Sequence, residues 1–214
     1  MELFIALTFH ENDLNYKIID SFRSRFDYKY SRSPLLLMSL MSPFVFKNKN
    51  VSKIDYTNIV DWLRDDIDNF LMGFDDDFEV KFNGFDFFSG RKGVIYLKPE
   101  LPSELSYFKE TASVYLRESG AIFKREEKLE KLSLRSEYTF LPIARSSDQE
   151  LLSHGVRTAQ IEFSSPFTLH AKEVALFEKV PGQWICRSIL HKFKESEKGF
   201  ENSLREKRLY ENGM

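Results

Sequence analysis

Pro34 and Pro43 bracket the run Leu35-Leu36-Leu37-Met38-Ser39-Leu40-Met41-Ser42. That run constrains the fold more than any other stretch. Proline ends helices and interrupts strand ladders, so the apolar residues must form whatever fits between the two. A globular helix needs about 10–12 residues, and the run is shorter. It reads as a strand buried on both faces. A second compact run, Tyr138-Thr139-Phe140-Leu141-Pro142-Ile143-Ala144-Arg145, lies in the other half of the chain. Two such strands, one per half, demand layers that cover both of their faces.

The remaining periodicities supply those layers. Leu3, Ile5, Leu7 and Phe9 alternate as a first strand. Leu14, Ile18, Phe22 and Phe26 recur at helical spacing. A second helix is expected near residues 57 to 72, with Thr57 as N-cap, Ile59, Val60, Leu63, Ile67, Phe70 and Leu71 on one face, and Gly73 as its stop. Phe78, Val80 and Phe82, then Phe85 to Phe88 beyond Gly84, pair with Val94 to Leu97 across Gly90-Arg91-Lys92-Gly93 as a hairpin. A third helix runs from Ser103 to Gly120 with Leu105, Phe108, Ala112, Tyr115 and Leu116 inward. A cap-rich stretch, Ser146 to Gln149, opens a short helix, and strands follow over Phe167 to Phe177 and Gln183 to Phe193. Strands and helices alternate but hairpins recur, so the class is α+β with largely antiparallel sheet. Residues 1 to 193 form one domain; residues 194 to 214 form a polar tail or frayed terminal helix.

Composition narrows the function classes. Apolar residues make up 42% of the chain and charged residues 30%, with a formal net charge of −2. That balance excludes a disordered charged tail and does not suit non-specific wrapping of nucleic acid. A phosphate ligand would have to be met by a local patch. Cys186 is the single cysteine, so no intrachain disulfide forms and no disulfide-linked partner is expected. No apolar run approaches a membrane span, and Met1 to Phe9 carries Glu2 and no basic residue, unlike a signal peptide. A cytoplasmic location is the expectation. Asp75-Asp76-Asp77 lacks the alternating spacing of a calcium loop and reads as a solvated turn. The charged segment 123 to 135 reads as an exposed loop or hairpin, or as a basic lip over a ligand cleft.

Ser39-Leu40-Met41-Ser42-Pro43-Phe44 and Ile143-Ala144-Arg145, together with the closing strand pair of residues 167 to 193, resemble the two-histidine phosphoesterase superfamily. That superfamily includes the bacterial 2′-5′ RNA ligase-like proteins and RNA 2′,3′-cyclic phosphodiesterases. The resemblance covers most of residues 1 to 193 by pattern. It implies two related lobes of antiparallel sheet around a central cleft. It also implies a His-x-Thr or His-x-Ser strand in each lobe, the first followed by Pro-Phe and the second by an apolar residue, Ala and Arg. Aligned on Pro43-Phe44 and on Ala144-Arg145, the motif positions here are Leu37 with Ser39, and Phe140 with Pro142.

The departures govern the functional expectation. In the superfamily one imidazole takes a proton from the attacking oxygen and the other donates one to the leaving oxygen, work that suits a pKa near neutrality. Leu37 and Phe140 exchange no proton. Each general acid or base supplies about 10²–10⁴-fold, so most of the rate is expected to be gone. No cofactor or metal is implied. The expectation is a member without cyclic phosphodiesterase catalysis that binds an RNA end, a nucleotide or another phosphate ester. Ser39 and Arg145 would hold the phosphate, Tyr28, Tyr30 or Tyr138 would stack on a base, and Lys29 or Arg32 would meet the backbone. One alternative is an enzyme rebuilt around Glu137 and His170. Another is a protein-interaction scaffold that binds no phosphate. His10, His154, His170 and His191 all stand outside a His-x-Ser/Thr context. No nucleophile elbow, Walker loop or dinucleotide fingerprint is present.

Overall fold

A computed structural model describes residues 1–32, 35–46, 53–71, 78–89, 92–123, 139–181 and 183–194. Its elements run β1 (Glu2–Phe9), α1 (Leu14–Phe26), a 3-10 turn (Tyr30–Arg32), β2 (Met38–Ser39), β3 (Phe44–Phe46), α2 (Lys53–Leu71), β4 (Glu79–Phe88) and β5 (Gly93–Glu100). They continue as α3 (Ser103–Glu118), β6 (Ala121–Phe123), β7 (Leu141–Ser146), α4 (Gln149–Glu162), β8 (Phe167–Val180) and β9 (Gln183–Lys192). The class is α+β: among the described residues, four helices accompany a nine-stranded antiparallel sheet.

The sheet is organised around β8. One edge of β8 pairs with β1 from Ala171 to Glu178, Leu3 opposite Glu178 and Phe9 opposite Ala171. Its other edge is shared. The first part pairs with β4, Glu79 opposite His170, and the second with β9, Glu173 opposite Lys192. The path then runs β6-β3-β1-β8-β4-β5-β7, with β2 on β1 and β9 on β8. Alternation along β1 sends Leu3, Ile5, Leu7 and Phe9 into the main core with the helices, and Phe4 and Ala6 to the opposite face with Ala175 and Phe177.

The helices cover the sheet in two groups. Helices α1 and α4 pack on β7 and β5, whereas α2 packs on α3 and β9. Asp13 caps α1 by accepting from the Asn15 amide at 2.7 Å. The four-residue row expected on α1 is only half buried. Phe22 and Phe26 face the core with Tyr16 and Ile19, but Leu14 and Ile18 are 56% and 38% exposed. A strict four-residue repeat drifts about 40° per step on a helix of 3.6 residues per turn, so such a row leaves the buried face. Helix α2 begins at Lys53, and Thr57 lies inside it and does not cap it. Its buried residues Ile59, Val60, Leu63, Ile67 and Leu71 match the expected stripe. Trp62 stacks on Tyr115 of α3 with centroids 3.6 Å apart.

Three strand details depart from the pattern. The run after Pro34 is not one strand: the amides of Leu40 and Met41 both donate to the Ile5 carbonyl, at 3.0 and 3.4 Å, turning the chain between β2 and β3. Gly84 does not interrupt β4. It adopts φ +75° at a register shift between Phe82 and Phe85, and the strand continues through a bulge. Strand β6, entered through Gly120 at φ +89°, carries too few residues to show a period.

Candidate functional site

Strands β2 and β7, which hold Ser39 and Pro142 and begin one residue after Leu37 and Phe140, lie against one another although β2 pairs with β1 and β7 ends the other side of the sheet. On β2, Met38 and its neighbours Leu36 and Leu40 enter the main core. Ser39 sits opposite Ala6 in the β1 ladder. Leu37, on the other face, packs on Phe4, Ala6, Ala175 and Phe177 beside Trp184. The Ser39 hydroxyl donates to the Met41 carbonyl at 2.5 Å. On β7, Pro142 is opposite Tyr96 and Arg145 opposite Val94. The Phe140 ring lies 5.1 Å from Tyr96 and 6.1 Å from Phe88, and Phe88 stacks on Tyr96 at 4.7 Å. Both motif positions are therefore half-buried in apolar contacts.

Arg145 is anchored. Its Nη1 donates to Asp27 Oδ2 at 2.8 Å, and that carboxylate is fully buried whereas the Arg145 side chain is 28% exposed. Asp27 Oδ1 accepts from the Lys29 amide at 3.0 Å, and the Tyr28 amide donates to the Arg145 carbonyl at 3.2 Å. The end of α1 is thereby tied to the edge of β7. Arg23, buried beside them, has its guanidinium pKa pulled below the ordinary value. Burial is the main cause and Arg145 adds repulsion, against the opposing field of Asp27. Sequence reasoning missed Asp27, because a carboxylate inside a basic, aromatic stretch carries no periodic signature.

The other expected ligand residues are scattered or already engaged. Tyr28 is exposed, with Lys29 Nζ 5.7 Å from its ring centroid. Tyr30 donates to Asp20 Oδ2 at 2.8 Å and lies under Arg23. Arg32 belongs to the 3-10 turn. Tyr138, Glu137, Asp75-Asp76-Asp77 and the charged segment from 124 onward lie outside the described residues, as does the Arg32 side chain. A groove of about 130 Å³ opens between α1 and the loop before β8. Two of its polar lining groups are engaged: Asn15 donates to the Thr168 carbonyl, and Glu162 pairs with Arg25.

His170 is built into a polar constellation. Its Nδ1 is 2.9 Å from Asp13 Oδ2 and its Nε2 3.0 Å from Glu79 Oε1. A neutral imidazole donates through one nitrogen only, so only the imidazolium donates to both carboxylates at once. His191 Nδ1 meets Asp68 at 2.6 Å, and His154 packs edge-on against Phe26. Among the described residues no group of three or more His, Cys, Asp or Glu side chains is arranged to hold a metal ion, and no helix is long and apolar enough to cross a membrane.

The Asp13 contacts yield a pH prediction. Burial alone would raise the Asp13 carboxyl, but hydrogen bonds from the His170 ring and amide and the Asn15 amide outweigh it and hold the pKa below its ordinary value. A depressed carboxyl stabilises the fold above its unfolded pKa of about 4. That contribution is lost as pH falls through the folded value. Urea midpoints measured from pH 6 down to pH 2 should fall more steeply for the wild type than for Asp13→Asn. Parallel curves would show that Asp13 is not linked to folding.

No protein-family model and no curated protein matches this chain.

Proposed function

We propose that the chain is a two-histidine phosphoesterase-type protein, with two lobes around a cleft, that has given up acid–base catalysis and retains its cleft for binding an RNA end, a nucleotide or another phosphate ester. One observation carries this reading: β2 and β7 meet while presenting Leu37 and Phe140, packed in apolar surroundings, at the positions where the resemblance implies imidazoles. Without a proton acceptor or donor there, bound ester is expected to persist unchanged. Arg145, partly exposed at the edge of β7, is the group suited to meet a phosphate, through the guanidinium face not turned to Asp27.

The test titrates the full chain with a 2′,3′-cyclic nucleotide, a 5′-phosphorylated RNA and the same RNA without phosphate. Calorimetry follows binding, and chromatography of the same tubes follows product. Binding of a phosphorylated ligand without turnover, weakened about tenfold or more by Arg145→Lys through loss of the bidentate fork, is the expected result. Turnover abolished by His170→Ala would place the chemistry on other groups and sink this reading.

A second reading has its own support. The Ser39 hydroxyl and one Arg145 nitrogen are bound internally, which favours a scaffold that contacts protein and no phosphate. Absence of binding to all three titrants would select it.

A further inference from the structure

An antiparallel sheet of this size leaves strand edges that must be covered or blunted, because unpaired main-chain groups recruit other strands. Most edges here are managed. Strand β7 has its Arg145 carbonyl taken by the Tyr28 amide. Strand β9 has its Ile189 carbonyl taken by Arg64 Nε and carries the Arg187–Glu178 ion pair. Strand β6, described over Ala121–Phe123, stands at the end of the sheet path.

Strand β4 beyond its bulge is blunted, among the described residues, only by its own Asp86 side chain. Up to Phe82 its outer edge pairs with β8; from Phe85 to Phe88 it pairs, among the described residues, with β5 alone. The Phe87 amide donates to the Asp86 carboxylate at 2.8 Å and so does not point into the β5 ladder. In an antiparallel strand alternate residues turn their main-chain groups to the same neighbour, so Phe85 and Phe87 present theirs outward. Phe87 and Phe88 are 44% and 37% exposed, on opposite faces of the strand. No proline or lysine interrupts Phe85-Asp86-Phe87-Phe88.

We propose that the β4 edge over Phe85–Phe88 is a strand-addition site for an extended peptide of a partner protein. The peptide would carry alternating apolar residues and a lysine or arginine facing Asp86. Main-chain hydrogen bonds would supply the affinity and the flanking phenylalanines the grip on the peptide's side chains. Charge fixes the partner's chemistry: Asp86 is the one charged residue on the edge, and opposite charges across a strand pair are stabilising. Length argues against a second copy of this chain, because a four-residue edge buries far less than the roughly 1,200 Å² of a stable interface, and the closest antiparallel self-pairing brings two Asp86 carboxylates together. In the free protein the Asp86 carboxylate occupies the Phe87 amide, and the incoming strand displaces it. The proposal does not rest on phosphate binding between β2 and β7, although Phe88 also packs on Phe140.

The test is an amide-resolved nuclear magnetic resonance titration of the full chain with the peptide acetyl-TVKVTV-amide, up to about 1 mM, the weak end of specific recognition. The expected result is saturable shifts centred on Phe85, Asp86 and Phe87, absent with a backbone N-methylated version of the peptide. Asp86→Lys should weaken the lysine peptide about fivefold and favour acetyl-TVEVTV-amide instead. Phe87→Pro removes an amide that the β5 ladder does not use, so the variant should fold with an unchanged spectrum elsewhere and lose the peptide. Shifts centred away from β4, no saturable shifts, or equal binding by the N-methylated peptide would overturn the proposal. So would concentration-dependent self-association through the same residues, which would make a second copy the occupant.

Discussion

Replacing Asp27 by alanine is expected to destabilise the fold by about 3–5 kcal/mol, the usual cost of leaving a buried ion pair without one partner. The carboxylate is fully buried and accepts from Arg145 Nη1 and from the Lys29 amide. Its loss takes away the acceptor of Arg145 Nη1 and a favourable field on Arg23, which has almost no access to water with which to screen Arg145. Guanidinium chloride denaturation should show a lower midpoint with an unchanged slope. Asp27→Ala combined with Arg145→Met should cost less than the sum of the single changes, because the second substitution removes the charge whose acceptor the first took away. Additive losses would show that the pair does not act as a unit.

The second large effect lies in the aromatic seam between β4 and β8. Phe82 is fully buried, stacks on Phe167 at 5.4 Å and meets Phe9 edge-on at 6.1 Å. It is the last residue of β4 to pair with β8. Phe82→Ala should cost about 3–5 kcal/mol through lost burial and the cavity left behind, whereas Phe82→Leu should cost well under half of that. A small loss for alanine would mean that Phe9 and Phe167 close over the gap.

Local pattern made most of the fold legible. Alternation in β1, the apolar stripe of α2 and the paired runs across Gly90-Arg91 each depend on neighbours in sequence, and each is found where its period places it. The partition of β8 between β4 and β9 was not legible, because a strand's alternation is the same whichever partner its edges meet. The candidate site was legible in part. The flanking residues drew attention to β2 and β7, whose adjacency no periodicity encodes. The Asp27–Arg145 and Asp13–His170 pairs join residues 118 and 157 apart, so no local signature announces either.

The central place of β8 also sets a clock. The Thr8 hydroxyl donates to the Glu173 carbonyl across a separation of 165 residues. At roughly 5–20 residues per second on the ribosome, β1 waits about 8–33 s for its main partner to be made. During that interval the apolar residues Leu3, Ile5, Leu7 and Phe9 have, among the described residues, only β2 and β3 of their native strand partners. Loop-closure entropy must be met before the β1–β8 ladder rewards it. Synthesis rate and chaperone access during those seconds, more than the final stability of the sheet, should therefore decide how much of the protein reaches its native state.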